Sequence, residues 1–122
     1  MNFDDISTGV DIENIQRFEK YSANDDLVKR VFSQKEIEYC FSHRLPAQHL
    51  AVRFSAKEAV YKALSSLNIN VINYSDIEIT NTDKGVPQVS ILKKGFENLK
   101  FRLSLSHGNG NALASVIVIK TE

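Results

Sequence analysis

The chain has 122 residues, 43% of them hydrophobic and 25% charged, the proportions of a single soluble globular domain over 1–122. Fifteen Lys and Arg balance fifteen Asp and Glu, and neither half is polarised: nine basic and ten acidic residues fall in 1–66, six and five in 67–122. This disfavours non-specific nucleic-acid binding, which normally rests on a basic patch, and no run approaches the roughly 18 apolar residues of a membrane span.

Residues 1–6 read as a loose or short extended start. Asp4 and Asp5, with no apolar segment behind them, are unlike a secretion signal. Ser7 to Ile12 reads as a short strand, with Val10 and Ile12 on one face and Asp11 on the other. A helical pattern follows from about Glu13 to Tyr21, with Ile15, Phe18 and Tyr21 inward and Arg17 and Lys20 on or near the exposed side. Asn24 or Asp25 would cap a second short helix carrying Leu27, Val31 and Phe32. Ser33-Gln34-Lys35-Glu36 has the capping-box form and predicts a helix through Ile37, Tyr39, Cys40 and Phe41. The lone Cys40 makes no internal disulfide and no thiolate zinc site within one chain, which suits a reducing cytoplasm. It reads as a small core residue.

Pro46 suits the first turn of the longest helix, Pro46 to Leu67. Leu50, Phe54, Val60, Tyr61, Leu64 and Leu67 form one apolar stripe at about 100° per residue. His43 and His49 flank Pro46 and read as surface residues. Beyond Leu67 the period changes to two. Ile77 to Thr80 is a strand, Thr82-Asp83-Lys84-Gly85 a turn in which Gly85 supplies positive φ, and Val86 to Leu92 the returning strand. Phe101, Leu103 and Leu105 alternate with polar residues. Gly108-Asn109-Gly110-Asn111 is a turn, and Ala112 to Ile119 is the last strand, with Val116 and Val118 on one face. A short strand, helices and two antiparallel hairpins make an α+β domain, its helices, one long and central, packed on an antiparallel sheet.

The chemistry concentrates on the long helix. Arg53 and Lys57 project from the apolar stripe, where a charge costs several kcal/mol unless it is paired or faces a ligand. Glu58 and Lys62 are neighbours on its flank. One carboxylate and three cations there suit an anionic, metal-containing site; alternatively Glu58 and Lys62 are an ordinary helix pair, with Arg53 and Lys57 snorkelling past apolar neighbours. Asp11 would add a second carboxylate if the first strand runs beside this helix, and two carboxylates suit Mg²⁺. His107, at a strand end beside a tight turn, is either a general base or phosphate contact, or a plain hairpin-end residue.

Gly9-Val10-Asp11 followed by Arg17 resembles the N-terminal motif of phosphopantetheinyl transferases. Arg53-Phe54-Ser55-Ala56-Lys57-Glu58-Ala59-Val60-Tyr61-Lys62-Ala63-Leu64 resembles their second motif. The Gly85-Val86-Pro87 turn and the Ser104-Leu105-Ser106-His107 strand end match the small holo-acyl-carrier-protein synthase type. The sequence departs from the family pattern at Val52 where glycine is usual, at Ser65-Ser66-Leu67-Asn68 after the helix, and at Val86 in the turn.

The resemblance implies transfer of phosphopantetheine from coenzyme A to a serine of an acyl carrier protein, releasing adenosine 3′,5′-bisphosphate. It implies Mg²⁺ on Asp11 and Glu58, with Lys62 neutralising charge on the phosphate. Glu58, a metal-bound water or His107 would take the serine proton. Arg53 and His107 would contact the nucleotide's phosphates, Lys57 would face the same anionic ligand, and Gly85 and Pro87 would shape the adenine pocket. Arg17 and Lys20 would meet the acidic carrier protein, and the assembly would be a homotrimer with sites between subunits. The alternative is a non-catalytic module that binds coenzyme A or a carrier protein with the same surface.

Overall fold

The computed structural model describes residues 2–70 and 73–122. Of the loose start expected over residues 1–6, Met1 lies outside the described residues; Phe3–Asp5 form a 3₁₀ turn capped by the Asn2 side chain. The elements are β1 (Ile6–Asn14), α1 (Asp26–Val31), α2 (Gln34–Phe41), α3 (Pro46–Ser66), β2 (Ile77–Asn81), β3 (Pro87–Ile91), β4 (Leu99–Gly108) and β5 (Asn111–Lys120).

The sheet is two sheets. One is three-stranded in the order β1-β5-β4, the other is the β2-β3 hairpin, and all pairs are antiparallel. Alternation placed the strand faces as expected: Val116 and Val118 are buried while Ile117 is exposed. The capping box is present in full, with Ser33 and Glu36 each bonded to the other's backbone. Asp25 precedes α1, but its carboxylate accepts from the amide of Ser22 and caps nothing in that helix.

Two expectations are corrected. No helix runs from Glu13 to Tyr21. β1 continues to Asn14, the amide of Ile15 still donates to Gly110 across the sheet edge, and only Ile15–Phe18 turns as a 3₁₀ segment, capped by Asn14. Pairing with β5 outweighs the local 3.6-residue pattern, as ladder bonds and burial routinely outweigh propensity. Nor is α3 buried along one stripe. Ala51, Ser55, Ala59 and Ala63 are buried along with the larger side chains, whereas Phe54 is half-buried and Tyr61 is 39% exposed.

The reason is that α3 is the centre of the molecule. One hydrophobic cluster joins Ala56, Ala59, Val60 and Leu64 to Ile77, Ile79, Val116 and Val118. A second joins Leu50, Ala51 and Val52 to Phe18, Val28, Phe32, Ile37 and Cys40. The small face of α3 lies against β1, so closely that Gly9 has no room for a Cβ. Cys40 is fully buried, and burial pushes its thiol up to about 12, which leaves it inert. Among the described residues, no helix is long and apolar enough to cross a membrane.

Candidate active site

Asp11 faces inward from β1, and the close packing of β1 on α3 brings it to the helix. The hydroxyl of Ser55 donates to the main-chain carbonyl of Asp11 at 2.8 Å. The ammonium of Lys62 lies 3.2 Å from Oδ1 of Asp11 and 3.1 Å from the carbonyl oxygen of Val10, with its side chain 53% exposed. The other carboxylate oxygen, Oδ2, is buried and has no hydrogen-bond partner. Glu58 does not pair with Lys62. Its Oε1 accepts the hydroxyl hydrogen bond of Tyr74 at 3.0 Å.

Two members of this cluster were not expected. Glu13 shares the inward face of β1 with Asp11, two residues on, and pairs with Arg17 at 2.8 Å. Burial raises its carboxyl to about 7; the neighbouring Asp11 carboxylate adds to the rise, as does Glu58, and Arg17 opposes it. Strand alternation carried one residue past Ile12, two beyond Asp11, would have found Glu13. Tyr74 left no such signal, because a 3₁₀ turn (Tyr74–Asp76) delivers it. Burial raises its hydroxyl well above the ordinary range, followed by Glu58 and, further down, Asp11. Asp11, Glu13, Glu58, Lys62 and Tyr74 are thus one electrostatic neighbourhood. Among the described residues there is no ready-made cluster of three metal ligands. The oxygen donors of Asp11 and Glu58, one of them unpartnered, nevertheless suit a hard cation that takes its remaining ligands from water and substrate phosphates.

The other expected site residues lie elsewhere. Lys57 lines no open site: it is fully buried, and neither the anionic-site reading nor snorkelling describes it. Its ammonium pairs with Glu36 at 2.7 Å and donates to the carbonyls of Tyr74, at 2.9 Å, and Ile77. Glu36 also accepts from the amides of Ser33 and Ile79, each at 2.8 Å. Burial pushes Lys57 down and Glu36 up, and the charge of each opposes the shift of the other. The pair therefore ties α2, α3 and β2 together.

Arg53 is nine positions before Lys62, half a helical turn around at about 100° per residue, so it points away from Asp11. Only 3% exposed, its guanidinium stacks on Tyr39 at 4.0 Å, and its Nε has no partner. It lines a cavity of about 290 Å³ with Lys35, Tyr39, Thr80, Asn81 and Gln88. Gly85, at φ +80°, closes the β2-β3 turn next to this wall, and Pro87 opens β3 opposite Asn81. His43 and His49 are not plain surface residues. Both are half-buried, stacked 4.0 Å apart, and packed on Tyr39 at 4.5 and 5.6 Å. Burial lowers His49, as do the nearby His43, Arg53 and His107. His107 has its Nε2 3.1 Å from the amide nitrogen of Gln48. It pairs with Ala112, which pairs with Glu13, so two strand spacings of about 4.8 Å separate His107 from Glu13.

Arg17 and Lys20 are exposed at the rim of the 3₁₀ segment. Between Arg17 and Tyr74 opens a cavity of about 340 Å³ with apolar walls from Phe18, Tyr21, Leu27, Val28 and Phe54.

Residues 7–117 match the model of the 4′-phosphopantetheinyl transferase superfamily. A holo-(acyl-carrier-protein) synthase of a Geobacter species is 41% identical over 119 residues, covering 91% of this chain and 95% of the relative. One of Caldicellulosiruptor saccharolyticus is 42% identical over 123 residues, covering 96% and 98%. Among solved structures, the Chronobacterium ammoniagenes ACPS-CoA complex superposes with a TM-score of 0.79 at 27% identity, covering 96% of this chain and 98% of that one. The Helicobacter pylori synthase in complex with coenzyme A gives 0.71 at 30% identity, covering 91% and 98%.

Proposed function

Since the chain belongs to the 4′-phosphopantetheinyl transferase superfamily, we infer that it is a holo-(acyl-carrier-protein) synthase: it transfers 4′-phosphopantetheine from coenzyme A to a serine of an apo acyl carrier protein and releases adenosine 3′,5′-bisphosphate. The observation that carries the assignment of the reacting end is the meeting of Asp11, Glu58 and Lys62 where β1 crosses α3. Asp11 and Glu58 would hold Mg²⁺, which when bound supplies positive charge to the pyrophosphate. Lys62, half in solvent, neutralises charge that builds on the transferring phosphate. Such a reaction asks mainly for alignment and charge stabilisation. Of the expected proton acceptors, Glu58 stands in this cluster, while within the same chain His107 is two strands away beside Gln48. This arrangement favours Glu58, directly or through a water, as the acceptor of the serine proton.

Arg53 and His107 take the nucleotide's phosphates, with Gly85 and Pro87 beside the adenine. Within one chain Arg53 lies half a turn around α3 from Lys62, and His107 meets Gln48 in the first turn of that helix, fourteen residues before Lys62, which supports a site completed by a neighbouring copy. Val10, Ile12, Leu113 and Ile117 leave an apolar patch on the outer sheet face, between 38% and 60% exposed, and a trimer that covers it fits this division. Native mass spectrometry giving only monomer would refute the shared site. The carrier meets Arg17 and Lys20, whose charge steers an acidic partner, and the adjoining apolar cavity receives one of its side chains. A single, buried, unreactive Cys40 suits the cytoplasm as the compartment.

Intact-mass spectrometry tests the reading. Apo carrier proteins incubated with coenzyme A and Mg²⁺ gain the mass of one phosphopantetheine, and Asp11→Ala or Glu58→Ala removes the gain while the fold persists. Full activity in both variants overturns the assignment. Coenzyme A binding with no mass gain on any carrier favours the non-catalytic module.

A further inference from the structure

We propose that Tyr74 is a positioning residue for Glu58, holding its carboxylate in the orientation that binds the metal ion; the inference rests on the assignment of Glu58 above. The hydroxyl of Tyr74 donates to Oε1 of Glu58 at 3.0 Å. This engages one oxygen and leaves the other available. A ligating carboxylate that is itself hydrogen-bonded loses the freedom to rotate away from the ion.

The rest of Tyr74 is held as firmly as its hydroxyl. Its ring packs between Phe54, at a centroid distance of 6.0 Å, and Tyr61, at 5.5 Å. Its main-chain carbonyl accepts from Lys57 at 2.9 Å. Phe54, Lys57, Glu58 and Tyr61 are positions i, i+3, i+4 and i+7 of α3, one flank of the helix. Four consecutive contacts of that flank all fall on one tyrosine. Lys57 is anchored in turn by the fully buried Glu36. The buried ion pair, unused in the chemistry, thereby sets the height of the 3₁₀ turn from which the Tyr74 hydroxyl reaches Glu58.

Tyr74→Phe removes the hydroxyl and keeps the ring. Mn²⁺ uptake, followed by the loss of the free-ion electron paramagnetic resonance signal with coenzyme A present and no carrier protein, should weaken about tenfold, the effect typical of losing a partner to a ligand. The Mg²⁺ concentration for half-maximal transfer should rise alike, excess Mg²⁺ should restore turnover, and the Tm should stay at the wild-type value. Unchanged Mn²⁺ affinity in Tyr74→Phe, with a clear loss in Glu58→Gln, overturns the role of Tyr74 alone. A wild-type protein that takes up no Mn²⁺, or a Glu58→Gln variant that binds it normally, overturns the metal assignment of Glu58 and this inference with it. A lower Tm and lower turnover at saturating Mg²⁺, with metal affinity intact, would mean that the Tyr74 hydroxyl serves the fold and not the metal.

Discussion

Replacing Gly9 by alanine asks whether the close approach of β1 to α3 sets activity as well as stability. A Cβ at Gly9 would stand 1.9 Å from the carbonyl oxygen of Ala59, 2.9 Å from its carbonyl carbon and 3.3 Å from the Cβ of Ala63. To regain an ordinary 3.4 Å contact, the carbonyl oxygen must withdraw by about 1.5 Å. The obstacle is helix backbone, so no rotamer relieves it; β1 must bend or a turn of α3 must move. Overpacking of this kind costs about 1–3 kcal/mol, which for a domain of this length lowers Tm by roughly 5–15 °C. Activity should fall further than stability. Asp11 is two residues along the strand and Glu58 immediately precedes Ala59, so the two carboxylates separate as the elements part. A shift of about 1 Å at reacting groups costs on the order of 100-fold. The expected variant is folded, melts lower by differential scanning fluorimetry, and modifies the carrier about 100-fold more slowly by mass spectrometry. Ala63→Gly should not rescue it, because the main clash is with the Ala59 carbonyl. Wild-type Tm together with wild-type turnover in Gly9→Ala would refute the reasoning.

Lys57→Ala leaves the Glu36 carboxylate buried without its cation and should cost about 3–5 kcal/mol in urea denaturation, with Lys57→Met/Glu36→Gln recovering part of the loss; a single-variant cost under about 1 kcal/mol would contradict the burial of a charged pair. Glu13 has its carboxyl raised in the folded protein from an ordinary 4.5 to about 7, so the folded state binds this proton more tightly. Its contribution to stability is complete below about pH 4.5 and is lost as pH rises through about 7. In the presence of a chelator, Glu13→Gln should therefore gain Tm relative to the wild type between pH 5 and 8. Parallel melting curves across that range would show that burial beside Asp11 does not raise the Glu13 carboxyl.

The local signals were legible where the chain answers to its neighbours in sequence. The reciprocal bonds of Ser33 and Glu36 follow from a three-residue spacing, the positive φ of Gly85 from a turn composition, and the burial of Val116 and Val118 from alternation. So did the short motifs around Asp11 and Glu58, whose order and spacing marked the family and paired two distant carboxylates. Local pattern failed at Glu13 to Tyr21, where a helical period competes with a strand partner about a hundred residues away that propensity does not see.

What only the tertiary structure decided is the fate of like charges on one helix. Arg53, Lys57 and Lys62 are each a cation on α3, and the sequence alone gives them similar claims to an anionic site. Their environments differ because their partners come from elsewhere in the chain: Tyr39 stacks on Arg53, Glu36 locks Lys57 in the core, and Asp11 on β1 holds Lys62 at the solvent edge. The sequence by itself, through the resemblance of its motifs, pointed to a carboxylate on the first strand and another on the long helix as partners in one site. The packing distance at Gly9 and the hydroxyl of Tyr74 then decide how the site is assembled, because desolvation and hydrogen-bond geometry depend on distances through space and not on spacing along the chain.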